Sequence, residues 1–180
     1  MNLPKIFVQI ASYRDPECQW TVKDLFDKAA HPERVFVGQC LQSDPVEDAH
    51  CNVIPSPRPD QTRTIRVLST ETLGVCWARA LTQSLFQDED FVLMIDSHMR
   101  FIEGWDTAMI EELGRCDSPK PLLSTYPAPY TPPNNLSEDT RPSVLALKPV
   151  DEFGRLRFRA HFLPEPPNQP TRGAFIAAGF

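Results

Sequence analysis

A run of five apolar residues, Phe91-Val-Leu-Met-Ile95, ends abruptly in Asp96-Ser97-His98, and it constrains the fold more than any other stretch. The run has strand length. A continuously apolar strand, rather than an alternating one, is expected where helices cover both faces of a parallel sheet. Alternation along an extended chain sends Asp96 and His98 the same way from the strand's carboxyl end. In open α/β sheets that end is where ligands bind. A carboxylate oxygen and an imidazole nitrogen two residues apart suit a divalent metal that also takes phosphate oxygens. The same triplet also suits an ordinary turn, capped by Asp96, with His98 as a polar loop residue.

The flanking sequence supplies the rest of such a sheet. Ile6–Ala11 reads as a buried strand ending in Ser12-Tyr13-Arg14-Asp15-Pro16. A helix from Thr21 follows, with Val22, Leu25, Phe26 and Ala29 on one face. Val35–Leu41 is a second strand, so the first two strands are expected to be parallel neighbours with a right-handed crossover. The polar, proline-rich stretch 42–61 reads as a surface loop, and Thr64–Leu68 as a third strand. Leu73–Phe86 has helical spacing of Leu73, Cys76, Trp77, Ala80, Leu81, Ser84 and Leu85, and leads into the Phe91 strand. Gly104-Trp105-Asp106 opens another helix, and Pro121–Thr125 reads as a further strand. From Tyr126 to Pro142 the pattern is that of a loop. Val144–Lys148 and Leu156–Leu163 then alternate around Gly154, as in an antiparallel hairpin, and a last strand is expected in 172–180. The expectation is one α/β domain over residues 1–180, a mixed sheet flanked by helices with antiparallel strands toward the C-terminus. The polar clusters after strands one and four would then share a rim.

The composition is globular, with 41% hydrophobic and 23% charged residues. A net charge of −6 gives no general attraction to nucleic acid or to an anionic membrane, so an anionic ligand must be held locally. Five cysteines without a Cys-x-x-Cys pair read as reduced thiols, with Cys40 and Cys76 as small buried hydrophobes. No apolar stretch reaches membrane-spanning length and the amino terminus lacks a signal-peptide core, so a cytoplasmic location is expected.

Several side chains carry two readings. Arg79, about two turns into its helix, is either a clamp for a diphosphate and a partner for Asp96 or a solvated helix arginine. Tyr13 either stacks on a nucleobase, with Arg14 or Asp15 at the base edge, or is a half-buried strand-end aromatic. Trp105 reads as the anchor of its helix. His161 is either a third metal ligand or a structural strand histidine, and His31 and His50 sit in polar turns with no assigned role. No Walker loop, Gly-x-Gly-x-x-Gly or nucleophile elbow is present. No basic patch with interleaved aromatics is present either.

The segments 6–17 (Ile-Phe-Val-Gln-Ile-Ala-Ser-Tyr-Arg-Asp-Pro-Glu), 29–38 (Ala-Ala-His-Pro-Glu-Arg-Val-Phe-Val-Gly), 76–79 (Cys-Trp-Ala-Arg) and 95–101 (Ile-Asp-Ser-His-Met-Arg-Phe), with Gly104-Trp105, resemble the GlcNAc-transferase family. These are GT-A-fold glycosyltransferases related to enzymes that attach GlcNAc to hydroxyproline on a cytoplasmic protein. Asp-Ser-His followed by Gly-Trp is also similar to the metal motif, a variant of Asp-x-Asp, of polypeptide GalNAc-transferases. The resemblance implies a UDP-sugar donor and Mn²⁺ or Mg²⁺ held by Asp96 and His98. It further implies a nucleoside site around Ser12, Tyr13, Arg14 and Asp15, and Arg79 at the diphosphate or sugar. Retaining transfer to a hydroxyl acceptor on protein or glycan follows from it. It also divides the chain into a nucleotide-sugar part, 1–125, and the start of an acceptor side, 126–180. Family members run on past the position of Phe180, so the chain is expected to be the donor-binding part of a longer enzyme. The alternatives are a sugar-nucleotide uridylyltransferase and a non-catalytic sugar- or partner-binding module. The first would carry a Gly-rich basic loop after strand one, where this chain has Ser12-Tyr13-Arg14-Asp15-Pro16.

Overall fold

The computed structural model describes residues 3–125, 127–139, 141–165 and 167–173. Met1–Ala108 and Met109–Phe180 form two compact units. The first is built on four strands: β1 (Ile6–Tyr13), β2 (Val35–Gln42), β3 (Thr62–Val67) and β4 (Phe91–Ile95). All pair in parallel, in the order β3-β2-β1-β4. Two helices, α1 (Cys18–Asp27) and α2 (Val75–Gln83), provide the crossovers.

The core lies around β1, where Phe7, Val8 and Ile10 have no exposed surface. Each such side chain contributes roughly 1.5–3 kcal/mol by leaving water. β1 and β2 are the inner strands of the four, and β4 is not. Val92 of β4 is 55% exposed, and among the described residues β4 pairs with β1 alone. The expectation that Phe91–Ile95 is covered on both faces fails here, because an apolar run does not reveal which of its side chains faces out.

α1 begins at Cys18, three residues before the expected start, and buries Cys18, Thr21, Val22, Leu25 and Phe26 at helical spacing. α2 is shorter than its apolar pattern. Gly74 takes φ 96, a conformation that suits glycine, and detaches Leu73 from the helix. The face α2 buries is Ala78 and Thr82, whereas Leu73 and Cys76 are exposed. Close approach explains that choice. A Cβ on Gly38 of β2 would lie 2.3 Å from the Phe7 ring and 3.3 Å from the Thr82 carbonyl, so small residues meet there. The next residue, Gln39, approaches Cys18 of α1 (Sγ to Oε1, 4.0 Å), which puts α1 and α2 on opposite faces of the sheet.

A third helix, α3 (Trp105–Gly114), begins with two buried residues, Trp105 and Asp106. Trp105 packs on Phe101 at 4.8 Å and donates its indole N–H to the Leu25 carbonyl, 2.8 Å. It is the anchor the sequence suggested. Asp106 accepts from the Ala30 and His31 amides and from Arg34 Nε at 2.7, 3.1 and 2.8 Å. Burial opposes its charge, but those bonds and the Arg34 charge keep its carboxyl below the ordinary range.

The second unit contains two antiparallel pairs. Short strands β5 (Tyr130–Thr131) and β6 (Asn135–Leu136) lie in the expected loop, and β7 (Ser143–Lys148) pairs with β8 (Arg157–Phe162). The β7–β8 hairpin matches the alternation around Gly154, whose φ of 73 lets the connecting turn close. Pro121–Thr125 is not a strand; among the described residues no strand pairs with it. The strand expected in 172–180 lies almost wholly outside the described residues. Of the five cysteines, Cys18, Cys40 and Cys51 are buried and unbridged, while Cys76 is exposed, against expectation. Burial pushes the Cys18 thiol up to about 12, so it is not a thiolate at neutral pH.

Candidate active site at the carboxyl rim of the sheet

The parallel register of β1 and β4 pairs Ile10 with Ile95, so the polar clusters that follow the two strands emerge side by side. Arg14 turns the first of them. Its φ of 49 is left-handed, unusual for a residue with a side chain, and costs of order 1–3 kcal/mol. The turn is held by the Arg14 amide on the Gln42 carbonyl, 2.9 Å, and it sends neighbouring side chains in opposite directions. Arg14 reaches the loop after β2, where Nε meets Asp48 at 3.0 Å and Nη2 meets Glu47 at 3.1 Å. Asp15 turns toward β4.

Asp15 Oδ2 accepts the Ser97 hydroxyl at 2.6 Å and lies 2.9 Å from His98 Nδ1, while Oδ1 accepts the Glu17 amide at 2.9 Å. Burial works to raise its pKa, but the bonds from Ser97, His98 and Glu17 outweigh it and hold the carboxyl below the ordinary range. Asp96 turns to the other neighbour. Its Oδ1 lies 3.2 Å from Arg79 Nη2 on α2. Asp96 and His98 thus both lie on the rim, each with its own partner: Arg79 for the first, Asp15 for the second.

α1 holds the His98 segment in place. The Thr21 hydroxyl, fully buried, donates to the Ser97 carbonyl at 2.7 Å and accepts the Met99 amide at 2.9 Å. Asp24 accepts the Phe101 amide at 2.6 Å, Lys28 donates to the Phe101 carbonyl at 2.8 Å, and Glu17 pairs with Arg100 at 2.5 Å.

The remaining sequence candidates fall as follows. Ser12 is buried, with its carbonyl bonded to Gln42 Nε2 at 3.1 Å. Tyr13 is 55% exposed at the rim. His161 is exposed on β8 in the second unit. His31 approaches Glu33 at 3.3 Å, and His50, in the loop after β2, approaches Cys51 at 3.7 Å.

Sequence reasoning missed the adjacent cleft, about 630 Å³, at the carboxyl ends of β2 and β3. It is lined in part by Ser43, Asp48, Arg66, Leu68 and Trp77. The available signal was Asp44, whose side chain caps the amides of Val46 and Glu47 at 2.8 and 2.9 Å and makes an ordered wall of the supposed surface loop.

The donor set fits a divalent cation in part. The side chains of Asp96 and His98 are 34% and 61% exposed, within reach of solvent ligands. Among the described residues no three His, Cys, Asp or Glu side chains cluster as a closed metal cage. A cation held here would complete its shell with oxygens from its ligand and from water, as Mg²⁺ and Mn²⁺ do on phosphates. No helix of the described residues is long and apolar enough to cross a membrane.

Comparison with known proteins adds one result. No curated protein and no solved structure matches the chain. The profile of the family described as Glycosyltransferase (GlcNAc) matches residues 5–67 and 55–180, which together take in the whole rim from Tyr13 to His98. The chain belongs to this GlcNAc glycosyltransferase family.

Proposed function

We propose that the chain transfers N-acetylglucosamine, or a related sugar, from a UDP-sugar to a hydroxyl on protein or glycan with retention, on a GT-A-type domain. The observation that supports the proposal is that the Arg79–Asp96 and Asp15–His98 pairs both form just past the carboxyl end of β4 in the parallel sheet. Asp96 and His98 would hold Mn²⁺ or Mg²⁺, whose chemistry there is Lewis-acid stabilisation of the departing diphosphate.

The chain's own groups then divide the work. Arg79, paired with Asp96, would direct its guanidinium charge at phosphate oxygens. The cleft at the ends of β2 and β3 offers Trp77 and Leu68 as apolar walls for a base. Tyr13, exposed at the end of β1, would provide a further aromatic ring. Arg14 braces the cleft's outer loop through Asp48 and Glu47. A uridylyltransferase role is disfavoured by the turn after β1. The amides of Arg14 and Glu17 are spent on Gln42 and Asp15, so they cannot cradle a triphosphate.

Calorimetric titration with UDP-GlcNAc, UDP-GalNAc and UDP-glucose, each with and without Mn²⁺, tests the proposal. Binding is expected to depend on metal and to weaken at least ten-fold in Asp96→Asn, while the metal-free signal changes little. Equal affinity of wild type and variant in Mn²⁺ removes the metal site. A chain that binds but shows no release of UDP on mass spectrometry is a binding module.

A further inference from the structure

The carboxylate nearest His98 is Asp15, supplied from the turn after another strand, and this contact has a chemical consequence. Asp15 Oδ2 already accepts the Ser97 hydroxyl, and its partner oxygen accepts the Glu17 amide. A carboxylate holding those donors in a partly buried turn is an acceptor only. The 2.9 Å contact with His98 therefore requires the imidazole to donate from Nδ1. The Ser97 proton goes to Asp15 and not to His98, which excludes a serine nucleophile activated by the histidine.

We infer that Asp15 is a positioning residue for His98, holding the imidazole in the Nδ1–H tautomer so that Nε2 carries the free lone pair facing the ligand. Both ends of the contact are fixed. Asp15 is locked by the left-handed turn at Arg14 and by its bond from Glu17, and the backbone on either side of His98 is held by Thr21. The side chain of His98 is still 61% exposed, and among the described residues Nε2 takes no bond. Free histidine favours the opposite tautomer, with the proton on Nε2, which repels a cation. A carboxylate behind the ring reverses that preference and raises the basicity of the exposed nitrogen.

The ligand class rests on the function proposed above: a divalent cation bearing a diphosphate. The tautomer does not rest on it. Long-range ¹H–¹⁵N spectra of the labelled, metal-free chain at neutral pH read the tautomer directly, with the resonances of His98 assigned by their loss in His98→Gln. The wild type is expected to show His98 protonated on Nδ1. Asp15→Asn, whose amide can donate to Nδ1, is expected to shift the ring toward Nε2–H, and Asp15→Glu to keep the wild-type form. A wild-type ring protonated on Nε2, or an Asp15→Asn ring identical to wild type, overturns the inference. The wild-type spectrum decides alone if the variants do not fold.

Titration of Mn²⁺ in the presence of UDP forms the second arm. Asp15→Asn is expected to weaken metal binding about 10–100-fold, the usual effect of removing a carboxylate behind a ligand histidine. If the tautomer shifts as expected while neither Asp15→Asn nor Asp96→Asn alters Mn²⁺ binding, the metal assignment falls and the positioning role stands.

Discussion

At Tyr13 the chain leaves the sheet with the residue more than half exposed, while Trp77 lines the cleft at the ends of the next two strands. Stacking of a base on an aromatic side chain contributes about 1–3 kcal/mol in alanine tests. Since 1.4 kcal/mol is a decade, Tyr13→Ala is expected to weaken UDP binding about ten-fold if its ring is the platform. Titrating Trp77→Ala beside it assigns the platform to whichever variant loses the affinity. The residue scale also shows where sequence reasoning stopped. The position of Asp96 and His98 past a strand's carboxyl end was legible from the apolar run that precedes them. Arg79 was legible as the partner of Asp96, but Asp15 was not as the partner of His98, which lies beyond Ile95, where the strand ends and alternation ceases to fix direction. The turn at Arg14 was hidden for a related reason. Left-handed backbone is signalled by glycine, and here an arginine adopts it under the pull of Gln42, Asp48 and Glu47.

Among the elements, α1 has two faces with different duties. Its apolar side packs the sheet, which the spacing of Val22, Leu25 and Phe26 made legible. Its polar side, Thr21 and Asp24 with the flanking Glu17 and Lys28, straps the segment after β4, which polar residues on a helix do not announce. Thr21→Val keeps shape and burial but leaves the Met99 amide and the Ser97 carbonyl without their hydroxyl partner. A loss of about 1–3 kcal/mol in urea unfolding is expected, together with weaker metal–UDP binding in the folded fraction. Unchanged binding would show that the strap stabilises the fold without setting the site. α2 taught a different lesson. Its hydrophobic pattern pointed to the bulky residues, but Gly38 and Phe7 leave room only for Ala78 and Thr82, and such steric selection is invisible in one helix read alone.

On the scale of the molecule, α/β order, parallel pairing and the shared rim were all readable, since they follow from the alternation of elements. The exposure of β4 and the failed strand at Pro121–Thr125 were not, because pairing partners are a property of the sheet and not of the segment. Asp106, buried with Arg34 between the start of α3 and the turn before β2, joins distant parts of the first unit. Asp106→Ala leaves a buried arginine unpaired and is expected to cost about 3–5 kcal/mol. Because the folded Asp106 has a lowered pKa, its contribution is complete above the unfolded value near about 3.9 and fades as pH falls through the folded one. Melting wild type and variant between neutral and strongly acid pH should therefore show their difference shrinking only at the acid end.

The strap on α1 also dictates which changes of length this protein tolerates. Each residue added to a helix rotates all that follows by about 100°. One inserted between Thr21 and Asp24 would turn Asp24 and Lys28 away from Phe101 while Thr21 still gripped Met99, and the imidazole would lose half its mooring. The loop after β2 is tied to the same helix through the Val53 and Ile54 amides on Gln19 Oε1, both 2.9 Å, so it too depends on the phase of α1. Divergent copies of this chain should therefore keep the count from Glu17 to Lys28 unchanged.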